Sequence, residues 1–130
     1  MAEQHEAEQR LGYTRMSFND FILDGKQLAA AGAKVAVYGV YRKFRDNAEA
    51  LLPPGSTPDY HPSTVIPLLI ENATREARSV LLRCDQDQMH YGGCAGNVIG
   101  TATMCTKTTL VSESSVPCID VHQVWSVPPP

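Results

Sequence analysis

Two glycine-centred stretches constrain this chain most. The first runs Lys34-Val35-Ala36-Val37-Tyr38-Gly39-Val40-Tyr41-Arg42-Lys43-Phe44 and alternates small or apolar residues with larger ones. A shorter echo, Asn97-Val98-Ile99-Gly100-Thr101-Ala102-Thr103, is built the same way around Gly100. Each predicts a long β-strand that bends where a missing Cβ lets the chain coil or bulge. Long strands of this kind build small closed barrels. Before Gly39, Val35 and Val37 share one face with the glycine, while Ala36, Tyr38 and Val40 share the other.

The other elements are placed around these two. Residues 1–16 read as a polar arm. Ser17-Phe18-Asn19-Asp20 is a weak capping box with Phe18, Phe21 and Ile22 as an apolar anchor. Asp24-Gly25 is a turn signal, Lys26 to Ala31 has one or two turns of helical character, and Gly32 stands where a left-handed cap is expected. Arg45 to Pro62 is a proline-rich loop in which Ala48 to Leu52 is the candidate for a brief strand or a turn of helix. Val65 to Ile70 is apolar, but Pro67 inside it predicts an edge or interrupted strand. Asn72 reads as a cap, and Ala73, Ala77, Val80, Leu81 and Cys84 line one helical face after it. The second long strand spans Cys94 to Cys105, and Thr106 to Ser115 is a polar connection. The last strand spans Val116 to Trp125, with Ile119 and Val121 on one face.

Strand, candidate strand, strand, helix, strand, strand is the order of an OB-fold. From Gly32 to Trp125 the chain resembles small bacterial OB-type domains related to anticodon-binding barrels. The residues carrying the likeness are Val35 to Tyr41 with Gly39, the helix from Asn72 to Cys84, and Val98 to Thr103 with Gly100. The fold expected is therefore mainly β: a five-stranded OB-like barrel with one helix, whose second strand is the element the sequence defines least. The resemblance implies ligand binding by one barrel face, often of single strands or oligosaccharides.

Composition narrows the partners. The chain has 130 residues and a formal net charge of −3, a balance with no general attraction for polyanions. Its length predicts one domain, 17–125, between the arm 1–16 and a proline tail 126–130. No run of about twenty apolar residues is present to cross a membrane as a helix. Met1 to Arg10 lacks the apolar core of a secretory leader, which points to the cytoplasm.

Four cysteines, Cys84, Cys94, Cys105 and Cys118, all lie in the second half and pull the other way. No pair has C-x-x-C spacing. Cys84–Cys94 and Cys105–Cys118 each bracket one connection, so these two local disulfides are expected; both would place the chain in an oxidising, extracytoplasmic compartment. The competing readings are buried free thiols, with which cytoplasmic residence stands, and a metal or thiol site of Cys84, His90 and Cys94 with Cys105 or Cys118. Cys118 and His122, four residues apart on one strand, are too far along it to touch.

Tyr38, Tyr41 and Phe44 interleave with Arg42, Lys43 and Arg45, as a stacking platform for single-stranded bases requires. The structural alternative is that Tyr38 fills the barrel and the cations solvate a strand end; the acidic balance favours it and predicts weak or no nucleic-acid binding. No nucleotide, hydrolase or zincin motif is present. The reading reached is a non-catalytic interaction module with no cofactor and no metal, an accessory subunit held by protein partners through its arm and proline tail. Neither end carries enough apolar surface to order itself on a small barrel, and a proline tail loses little entropy on docking.

Overall fold

The computed structural model describes residues 12–43, 49–56, 64–82, 94–108 and 113–126. Its strands are β1 (Thr14–Met16), β2 (Lys34–Lys43), β3 (Glu49–Leu52), β4 (Ile66–Leu69), β5 (Cys94–Thr108) and β6 (Glu113–Ser126). Helix α1 spans Phe18–Ala31, and the described part of a second helix, α2, covers residues 75–82.

Helix α1 starts and stops where the sequence says. The Ser17 hydroxyl accepts from the Asp20 N–H at 3.0 Å, satisfying one of the orphan donors of the first turn. Gly32 is left-handed (φ 59°), and its N–H closes the last turn onto Ala29 O at 3.1 Å. Between those caps the expected turn at Asp24-Gly25 does not form. The helix runs through Gly25 because that face lies on Pro117 of β6: a Cβ there would sit 2.6 Å from Pro117 Cβ. Phe18 and Phe21 are buried on the same side. Among the described residues there are thus two helices where one was expected.

The first three-residue strand also lies where a polar arm was expected. Residues 14–16 run parallel to β2, Thr14 opposite Val35 and Met16 opposite Val37. The reason is an open edge. On that side β3 pairs only with Val40 to Lys43, leaving the first half of β2 free for β1. Residues 1–11 and 127–130, most of the arm and tail, lie outside the described residues.

Among the described residues the sheet has six strands, and five of them close a ring. β2 pairs antiparallel with β3 and β5; β3 pairs antiparallel with β4; β4 runs parallel to β6; β6 returns antiparallel to β5. Helix α2 lies between β4 and β5 in the chain. This is the order expected from the sequence, with β3 as the second strand. β4 is not an edge. Pro67 is tolerated because the strand divides its partners: Ile66 and Pro67 face β3, whereas Leu68 and Leu69 pair with β6. β5 and β6 run further than expected, to Thr108 and from Glu113, because their polar ends pair with each other.

The core sits inside the ring. Val35, Val37, Tyr41, Leu51, Ile66, Leu68, Val98, Ile119 and Val121 fill it, with Phe18 and Phe21 from α1 and Ala77 and Leu81 from α2. Each large side chain contributes about 1.5–3 kcal/mol. Val40, Ala50 and Leu52 form a smaller cluster of their own, with Val65 packed against it. No described helix is long and apolar enough to cross a membrane.

Candidate functional site

A group of polar side chains from several elements meets where β6 carries an extra residue. Gly100 of β5 is opposite Val121, but the preceding Ile99 is opposite Gln123, so His122 has no partner in the ladder. It is a β-bulge, a device that re-aims a side chain. Gly100 makes the close approach possible: a Cβ there would lie 2.8 Å from Ile119 Cγ2 and overlap the Asp120 carbonyl.

The re-aimed imidazole is held at both nitrogens. Tyr13 Oη lies 2.7 Å from His122 Nδ1, and Thr101 Oγ1 lies 3.4 Å from Nε2. The rings of Tyr13 and His122 meet edge to face, 6.1 Å between centroids. Burial raises the Tyr13 hydroxyl above its ordinary pKa, so it is protonated at neutral pH. A protonated Tyr13 can donate to Nδ1 or accept from it, so both imidazole tautomers fit the contact; when Tyr13 donates, the ring proton is on Nε2 and points to Thr101. Lys34 Nζ stands 5.9 Å from the centre of the Tyr13 ring, a cation–π contact.

Register explains why these residues meet. Lys34 is directly opposite Thr101, and Thr101 is directly opposite Asp120, so one row crosses β2, β5 and β6. The turn before α2 is fastened to the same stretch of β6. Thr74 N–H donates to His122 O at 2.9 Å, and the Asn72 amide reaches the Asp120 carboxylate at 3.4 and 3.5 Å. Asn72 is therefore not the helix cap; Thr74 is, its hydroxyl accepting from Ala77 N–H at 3.2 Å.

Of the aromatic and basic residues singled out in the sequence, Tyr38, Tyr41 and Arg42 are described, and they do not form one open surface. Tyr41 is 3% exposed, packs in the core, and donates from its hydroxyl to Glu49 Oε1 at 3.1 Å. Arg42 is 6% exposed, and burial lowers its pKa. Tyr38 is the outward one at 36% exposed, so the tyrosine filling the ring is Tyr41 rather than Tyr38. The alternation simply continues through Gly39, carrying Tyr41 to the face of Val35 and Val37. Phe44, Arg45 and the Lys43 side chain lie outside the described residues.

Cys105 and Cys118 are at disulfide distance, with Cα atoms 5.9 Å apart. They sit diagonally across β5 and β6, since Cys118 is opposite Thr103 and Cys105 is opposite Val116. Cys84, His90 and the Cys94 side chain, needed for the other disulfide and for the metal alternative, lie outside the described residues. Replacing both Cys105 and Cys118 with serine is expected to cost about 2–3 kcal/mol, the loop-closure term for a loop this long. Urea unfolding of the oxidised protein and the double variant checks this; equal midpoints would show that the bond contributes nothing.

Sequence reasoning missed Tyr13, Lys34, Thr101 and His122 as a group. One signal was present. Ile119, Val121 and Val124 are buried, and the step from 121 to 124 breaks a period of two, marking one extra residue at the bulge. Comparison of the chain with protein-family models, curated proteins and solved structures returns no match.

Proposed function

We propose that this chain is a non-catalytic binding module built on an OB-like ring, an accessory subunit of a larger protein assembly. The observation that favours it over single-strand binding is the burial of Tyr41 in the core and of Arg42 on the opposite face of β2. A stacking platform needs its aromatic and cationic groups on one open face. Here Tyr41 is spent on the core and on Glu49, and of the described candidates Tyr38 alone is exposed. The net charge of −3 supplies no compensating field.

Two measurements test the reading. Purification from the native source, followed by mass spectrometry, is expected to recover the chain in a stoichiometric complex; a free 14.2 kDa monomer contradicts it. Fluorescence anisotropy with mixed single-stranded oligonucleotides at physiological salt is expected to show only non-specific affinity, about 1–100 µM or weaker. Sub-micromolar binding that is lost in Tyr38→Ala would replace this reading with single-strand recognition.

A further inference from the structure

The strip around the bulge holds a cation that no described residue neutralises. Lys34 is exposed, and its contact is the face of Tyr13, which attracts an ammonium without cancelling its charge. Among the described residues no carboxylate is bonded to it. Asp120, the carboxylate in the same row, stands one strand beyond Thr101 and is engaged by the Asn72 amide.

Beside this cation stands the Thr101 hydroxyl, 3.4 Å from His122 Nε2. In the tautomer in which Tyr13 donates to Nδ1, the ring proton is on Nε2, Thr101 accepts it, and its own O–H is left to donate; an anion at Thr101 selects that tautomer. Lys34 and Thr101 are direct cross-strand neighbours and point to the same side of the sheet. A charged donor and a polarised neutral donor, side by side on an open face, suit a ligand carrying two or more anionic oxygens.

We infer that Lys34 and Thr101 form an oxyanion-binding site, with His122 and Tyr13 as the residues that position it. Its ligand is a carboxylate or phosphate group. Lys34 supplies charge and Thr101 a hydrogen bond; the bulge at His122 fixes the direction of that bond. The site goes beyond the accessory-subunit reading and does not depend on it, because the isolated chain carries every residue required.

The test is an amide-resolved NMR titration of the full-length, isotope-labelled chain at constant ionic strength. One arm uses inorganic phosphate and the other an acetylated oligoglutamate peptide. Saturable shifts at Lys34, Thr101 and His122 are expected in at least one arm. Saturation with phosphate alone assigns the site to free phosphate groups; saturation with the peptide alone assigns it to protein carboxylates. Lys34→Gln is expected to weaken binding about tenfold, the loss of one charge-assisted bond. Thr101→Val should weaken it several-fold and Thr101→Ser should restore it, a pattern that a merely structural role would not give. Shifts that stay linear in both arms, or an affinity unchanged in Lys34→Gln, would overturn the inference. Lys34 is at the surface, so that variant decides the matter even if Thr101→Val disturbs the strand.

Discussion

Replacing Gly100 with alanine is expected to destabilise the protein by at least about 3 kcal/mol, the upper end of what overpacking costs. The added Cβ would overlap the backbone of Asp120 and stand 2.8 Å from Ile119 Cγ2. Backbone cannot rotate away as a flexible side chain can. Relief requires opening the β5–β6 ladder beside the bulge, which removes the contacts of Ile119 and Val121 with the core. For a domain of this size the loss corresponds to a fall in Tm of roughly 10–15 °C. Thermal unfolding by circular dichroism measures it. An unchanged Tm would mean that β6 does not cross Gly100 as closely as described. Gly39→Ala should behave similarly, since its Cβ would lie 2.5 Å from Leu52 O.

The second large effect belongs to Phe21. This side chain is fully buried, and it joins α1 to the ring. Phe21→Ala removes its transfer free energy and leaves a cavity between helix and sheet, an expected loss of about 3–5 kcal/mol. Against a total stability of about 5–15 kcal/mol that is enough to bring a marginal domain near its midpoint. Urea unfolding monitored by near-ultraviolet circular dichroism reports the change. A cost under about 1 kcal/mol would show that α1 is a loose appendage rather than a plug of the core.

The two glycine strands, the caps at Ser17 and Gly32, and the shared face of Ile119 and Val121 were legible because each is written in local sequence. A side-chain oxygen three residues from the N–H it accepts, or an alternation with period two, needs no knowledge of distant partners. What was not legible depends on residues far away in the chain. Three residues, Thr14 to Met16, show too short a pattern to announce a strand; they pair because β3 leaves half of the β2 edge open. Gly25 reads as a breaker until Pro117, ninety-two positions on, is seen against it. Asn72 looks like a better cap than Thr74 until Asp120 is found facing its amide.

The site follows the same division. The platform at Tyr38, Tyr41 and Arg42 was assembled from neighbours in sequence, but strand alternation puts Tyr41 on the face opposite Tyr38 and Arg42, and Arg42 is buried there. The strip at Tyr13, Lys34, Thr101 and His122 is contributed by four separate segments, and only the sheet register unites them. His122 was weighed against Cys118 on its own strand, but its partners come from before β1 and from β5.

Closure of the ring is the claim on which the burial of Tyr41 and the exposure of the Lys34 row both rest. The parallel pairing of β4 with β6 and the antiparallel pairing of β2 with β5 are the two contacts that close it. Nuclear Overhauser contacts on the isotope-labelled chain measure both at once. The account predicts interstrand backbone contacts linking Leu68 with Ile119, and others linking Val37 with Val98, in a single folded species. Loss of either set, with the rest of the sheet intact, would describe an open sheet and contradict the account.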